Sequence, residues 1–196
     1  MNKTSEKIIE YIDYSKRLNI IDTYGIGDIQ RGDFKKVIVI AKKLPVGLKQ
    51  RKGFVGVIPD YFKTFYQLNK NLKKLQDYFV EDEYKTSIQN AFSLTGDLRI
   101  FVERAGLGSK GANELILNPD YGANLIYAVL FTDYEQLPSS KRIDDVCNRC
   151  YRCWEACPGN ALGPEGLSIK RCLPYSLRAC QECVDACPVG KVKLKK

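Results

Sequence analysis

The stretch "CNRCYRCWEACP" places thiols at Cys147, Cys150, Cys153 and Cys157, with Pro158 directly after the last. A second, less regular set follows at Cys172, Cys180, Cys183 and Cys187, and Cys187 again precedes a proline. Thiolates are soft ligands that select zinc or iron–sulfur clusters over hard cations. The first set fits the run C-x2-C-x2-C-x3-C-P, which wraps three thiolates round one cubane cluster and sends the fourth to a neighbouring cluster. Crossed ligation therefore predicts Cys147, Cys150, Cys153 and Cys187 on one 4Fe-4S cluster. Cys157, Cys172, Cys180 and Cys183 are expected on the other.

The second set departs from the first. A regular repeat would carry a cysteine where the chain has Leu177, so a longer loop must bring Cys172 back to its cluster. All-cysteine zinc sites also use C-x2-C pairs, but paired Cys-Pro endings favour clusters. Secreted disulfide frameworks spread cysteine through a small domain, whereas here 146 residues without one precede the cluster. Histidine is absent, which excludes histidine catalysis and histidine-containing metal sites from this chain. Tyr151 and Trp154, inside the first motif, are expected to shield a cluster from water and tune its potential.

The elements that must carry these thiols follow from periodicity. Ile8, Ile9, Ile12 and Leu18 predict an amphipathic N-terminal helix rather than a signal peptide. Val37 to Ile40 read as a buried strand ended by Pro45. Phe62, Phe65, Leu68, Leu72, Leu75 and Phe79 recur at helical spacing and predict a core-facing helix. A further helix around "LRIFVERAG" should stop near Gly106. "ELILN" and "ANLIYAVLFTD" read as strands joined by the turn "PDYG", and "EQLPSSKR" as the linker into the cysteine region. Helices alternating with strands predict an α+β body over residues 1–140, followed by a small two-cluster domain over residues 141–196. No segment has the apolar length of a membrane span, and the cytoplasm is the expected compartment.

"GLGSKG", Gly106 to Gly111, satisfies G-x-G-x-x-G, but a helix precedes it and a strand follows. That is the reverse of a dinucleotide-binding turn. Together with the two cluster motifs and "RCLPYSL", the segment "FVERAGLGSKGANELILNPDYGANLIYAVLFTD" resembles the corrinoid-dependent reductase superfamily, which includes epoxyqueuosine reductases and reductive dehalogenases. The resemblance implies a nitroreductase-like α/β sandwich beside a ferredoxin-like module, with cobalamin as a further cofactor. It places Ala105, Gly106, Leu107, Gly108 and Gly111 near the corrinoid. The chain departs from the family in having Ser109, Lys110, Gly111 and Ala112 after "AGLG", where Trp, an aliphatic residue and Gly-Lys are common. A catalytic aspartate precedes the arginine resembling Arg99 in epoxyqueuosine reductases; that register falls near Phe92, with Asp97 close but out of step.

These readings lead to a redox protein passing low-potential electrons from two clusters to a corrinoid, as a reductase or reactivase. The alternatives are a two-cluster electron carrier without corrinoid and an epoxyqueuosine reductase-like enzyme acting on tRNA. The expected partners are a redox donor protein and a corrinoid protein as acceptor. The formal charge of +8 falls to roughly +4 once two clusters with eight thiolates, at about −2 each, are counted. That modest balance weighs against nucleic acid as a partner. The basic tail "KVKLKK" reads as a solvated terminus.

Overall fold

The computed structural model describes residues 3–44, 54–90, 97–178 and 180–190. Pro45, Phe92 and the basic tail lie outside the described residues, and so do the sequence expectations that rest on them. The chain forms two compact units. One comprises Met1–Lys43, Lys63–Leu107 and Ile126–Arg142; the other comprises Leu44–Phe62, Gly108–Leu125 and Ile143–Lys196.

A four-stranded sheet organises the first unit. Its strands are β1 (Thr23–Arg31), β2 (Phe34–Lys43), β3 (Thr86–Asn90) and β6 (Leu125–Thr132), in the order β1-β2-β6-β3. β1 and β2 make an antiparallel hairpin in register Gly25↔Val39 and Gly27↔Val37, and β3 pairs antiparallel with β6 from Thr86↔Thr132 to Asn90↔Ala128. Val37, Ile38, Val39, Ile40 and Ala41 are all fully buried. That burial on both faces is why β2 reads as an unbroken apolar run rather than an alternating one.

Helices α1 (Lys3–Arg17) and α2 (Phe54–Glu81) supply the rest of this core. Ile8 and Ile12 of α1 are completely buried, whereas Leu18, past the helix end, is exposed. On α2, Leu68, Leu72, Leu75 and Phe79 form the buried stripe, each contributing about 1.5–3 kcal/mol by leaving water. Phe62 is half exposed, so the core stripe is shorter than its aromatic pattern suggested. Buried polar groups are paired across elements: Ser5 Oγ meets the Tyr134 hydroxyl at 2.8 Å, and Asn71 Nδ2 donates to Ser15 Oγ at 2.8 Å.

Helix α3 (Arg99–Arg104) ends as the sequence predicts. Leu107 N–H donates to the Val102 carbonyl and Gly106 N–H to the Glu103 carbonyl, the Schellman pattern, with Gly106 at φ +71°. The expected linker is held down as far as Arg142, because Ser140 donates its N–H to Ile26 O at 2.7 Å and accepts from Ile26 N–H through its hydroxyl at 3.0 Å. Beside it, buried Lys36 reaches Asp28 at 2.6 Å and Ser139 Oγ at 2.7 Å.

The second unit uses short elements. β4 (Ser109–Lys110) pairs with β5 (Ile116–Leu117), and β7 (Leu162–Gly163) with β8 (Gly166–Leu167). Helices α4 (Arg152–Glu155), α5 (Ile169–Ser176) and α6 (Glu182–Ala186) carry Cys153, Cys172 and Cys183. Neither α5 nor α6 buries a residue. So small a region lacks the apolar burial to stand on packing alone and calls for a metal staple. The whole is a mixed α/β fold, and among the described residues no helix is long and apolar enough to cross a membrane.

Candidate metal centre

Electrostatics sort the thiols into two sets. Burial raises the Cys153 pKa, and the nearby thiolates of Cys187 and Cys147 raise it further. Cys172 is raised by burial, then by Cys157 and Cys180. Burial pushes Cys183 up to about 11, with Cys180 and Cys157 the next contributors and Cys153 and Cys172 after them. The structure thus brings Cys147, Cys153 and Cys187 together, and separately Cys157, Cys172, Cys180 and Cys183. Cys153 also acts electrostatically on Cys183, across the two sets. Cys150 is exposed. Among the described residues no three ligand-type side chains close tightly enough to hold a single metal ion.

The backbone is bent to make these sets. Asp145, Arg149 and Tyr151 all have positive φ (49°, 53° and 55°), a conformation costing a non-glycine residue about 1–2 kcal/mol each. Strain of this density persists only where the surroundings over-determine it. Two sulfurs receive backbone donors: Ala112 N–H to Cys147 Sγ at 3.4 Å, and Ala161 N–H to Cys157 Sγ at 3.3 Å. Such bonds favour the thiolate and a negatively charged cluster.

Three further devices position the thiols. The Ser109 hydroxyl accepts from Val146 N–H at 2.9 Å, so the residue that departs from the family pattern latches the segment entering the motif. Helix α5 returns Cys172 to Cys157, because a Cβ on Gly159 would stand 2.7 Å from the Arg171 carbonyl oxygen. The chain after Cys187 lies on the "PDYG" turn: a Cβ on Gly190 would come within 2.2 Å of Gly122 N. Ser109, Ala112 and Gly159 were not singled out as site residues from sequence. Their contributions run through backbone contacts that no spacing reveals.

The positions expected near a corrinoid behave differently. Ala105 and Leu107 are buried in the core. A Cβ on Gly106 would meet the Lys141 carbonyl oxygen at 2.3 Å, one on Gly108 the Leu117 carbonyl oxygen at 2.2 Å, and one on Gly111 Leu117 Cδ1 at 2.6 Å. The chain's own packing accounts for the absence of a Cβ at each of these glycines. Asp97 is committed to Arg99, with Arg99 Nη2 at 2.6 Å and Nε at 2.8 Å from its carboxylate.

Fold and thiols together describe a mixed α/β chain with two sets of cysteines, similar in fold to epoxyqueuosine reductases. No family model matches the chain. It is 26% identical over 188 residues to the epoxyqueuosine reductase of Bacillus subtilis, an alignment covering 81% of this chain and 48% of that protein. The chain thus spans about half the length of that relative. It superposes on an epoxyqueuosine reductase solved with an epoxyqueuosine-modified tRNA-Tyr stem loop (TM-score 0.73, 19% identity, 97% of this chain and 67% of that one). It also superposes on a catabolic reductive dehalogenase in complex with 3-bromo-4-hydroxybenzoic acid (TM-score 0.73, 16% identity, 87% of this chain and 30% of that one).

One expectation is corrected by these comparisons. The charge balance weighed against nucleic acid, yet a structure sharing this fold holds a tRNA stem loop. Net charge was the wrong quantity, because phosphate contacts depend on where lysines cluster and not on the sum over the chain. Helix α2 alone carries Lys63, Lys70, Lys73 and Lys74.

Proposed function

We propose that this chain is an iron–sulfur reductase of the epoxyqueuosine reductase type, acting on a modified nucleoside in tRNA. The observation that carries the metal chemistry is the division of the thiols into the Cys147, Cys153, Cys187 set and the Cys157, Cys172, Cys180, Cys183 set. The eight cysteines would hold two 4Fe-4S clusters, with Cys150 completing the first set by its spacing. The relatives support the substrate class better than they support corrinoid electron transfer as an end in itself. A nitroreductase-like body over 1–140, a ferredoxin-like module over 141–196 and a cytoplasmic setting go with this reading.

Bound clusters would supply low-potential electrons singly. The chain's own part is to hold and tune them. Ala112 and Ala161 N–H groups stabilise charge at Cys147 and Cys157, while the Tyr151–Trp154 ring pair, 4.4 Å between centroids, covers the motif. Cobalamin is a further cofactor that the similarity to a B12-dependent reductive dehalogenase supports, with Ala105, Gly106, Leu107, Gly108 and Gly111 as the residues that would lie near it.

Removing an epoxide oxygen as water takes up an electron pair and a proton pair, which two one-electron centres can deliver in turn. Anaerobically reconstituted protein, given cobalamin, a strong reductant and epoxyqueuosine-containing stem-loop RNA, should convert the nucleoside with loss of one oxygen by mass spectrometry. Full cluster occupancy with unaltered nucleoside would overturn the reading and leave a two-cluster electron carrier.

A further inference from the structure

Helix α2 carries a second feature, on the first unit and on residues other than the thiols. Tyr66, Asn69, Lys70, Lys73, Gln76 and Ile88 line a cleft of about 530 Å³ between α2 and the edge strand β3. On the other side of Lys70, a cleft of about 370 Å³ includes Tyr11, Asn71 and Lys74. Both volumes lie in the range of small-ligand sites. Lys70 lines both clefts.

The chemistry of these clefts is specific. Lys70, Lys73 and Lys74 are like charges three and four residues apart on one helix, an arrangement that destabilises it without a counter-charge. Among the described residues none of the three has a carboxylate partner. Tyr66 is 69% exposed, an open ring face beside the ammonium groups. A nucleotide brings phosphate for the lysines and a base that stacks on tyrosine together.

We infer that the α2 face centred on Lys70 binds consecutive nucleotides of an RNA strand. Lysines hold the phosphates, and Tyr66 stacks a base. The inference rests on the proposed tRNA substrate and adds to it a contact surface for the strand.

The test is fluorescence anisotropy with a labelled anticodon-type stem-loop RNA, its DNA counterpart, and AMP as competitor, on cluster-loaded protein. Lys70→Glu and Lys73→Glu together should weaken RNA binding tenfold or more, and each should reduce the salt dependence by about one phosphate contact. Lys170→Glu, on α5, controls for a general loss of charge. The DNA counterpart should lose affinity in the same lysine variants, since phosphate and stacking contacts involve no 2′-hydroxyl. Circular dichroism and iron content of every variant should match the parent. Equal weakening by Lys170→Glu, or parental affinity in the double lysine variant, would overturn the inference and leave the reductase reading standing. AMP binding as tightly as the stem loop would show a mononucleotide site and overturn the strand assignment. A parent protein that binds no RNA would remove both.

Discussion

The Trp154 indole N–H donates to the Ala112 carbonyl oxygen at 2.7 Å, and Ala112 in turn donates its own N–H to Cys147 Sγ at 3.4 Å. One residue after the glycine motif therefore ties an aromatic shield to the first thiol. Trp154→Phe keeps the ring but removes the donor, at a cost of about 1 kcal/mol. The Ala112 peptide should then loosen, and air should bleach the cluster proposed on Cys147, Cys150, Cys153 and Cys187 several-fold faster. Absorbance decay and iron release would measure this. An unchanged rate would show the indole contact to be packing only.

The same thiol relationships fix an unequal pattern of damage. Cys183 interacts with Cys180 and Cys157, then with Cys153 and Cys172. Cys157→Ala should therefore impair the cluster expected on Cys172, Cys180 and Cys183 and spare the one expected on its own motif's first three cysteines. Cys172→Ser should give a three-iron or oxygen-labile species, because a cubane loses one thiolate. Low-temperature electron paramagnetic resonance separates the centres. Loss of the opposite cluster in Cys157→Ala would reverse the partition.

The thiol sets could be proposed from sequence because thiol chemistry is written in spacing. The end of α3 was legible too, since a left-handed helix stop at Gly106 needs a residue without Cβ. Contacts made by backbone groups distant in sequence were not. Nothing in "GLGSKG" shows that Ser109 will hold Val146, and nothing in "PGNAL" shows that Gly159 will admit α5. The aromatic spacing of α2 suggested a core stripe that includes Phe62, but Phe62 is half exposed and Leu68 is the first fully buried member of that stripe. Summed charge misled for a related reason: it carries no positions.

Gly108 is a test of packing against ligand contact. Its φ of +150° and the 2.2 Å approach of the Leu117 carbonyl oxygen leave no room for a methyl group. Gly108→Ala should destabilise the fold by about 2 kcal/mol or more through backbone displacement, with or without cobalamin. Denaturant titration of the protein in both conditions measures it. A stability loss appearing only with cobalamin present would make the glycine a ligand contact instead.

Acid sensitivity follows from Asp28. Hydrogen bonds from Lys36 and then Ser139 hold its carboxyl below the ordinary aspartate range. A depressed folded-state pKa means that the contribution is complete above the unfolded value, about pH 4. It is lost as pH falls through the lower folded value. The Asp28 side chain is 72% exposed, so solvent screening keeps the effect small, while Lys36 is left buried when its partner is neutralised. Thermal unfolding of the parent should therefore steepen in its decline below about pH 4. Asp28→Asn should be less stable near neutrality and show a flatter acid limb. Parallel curves for the two proteins across that window would show that Lys36 and Ser139 hold the 139–140 segment to β1 without help from the Asp28 charge.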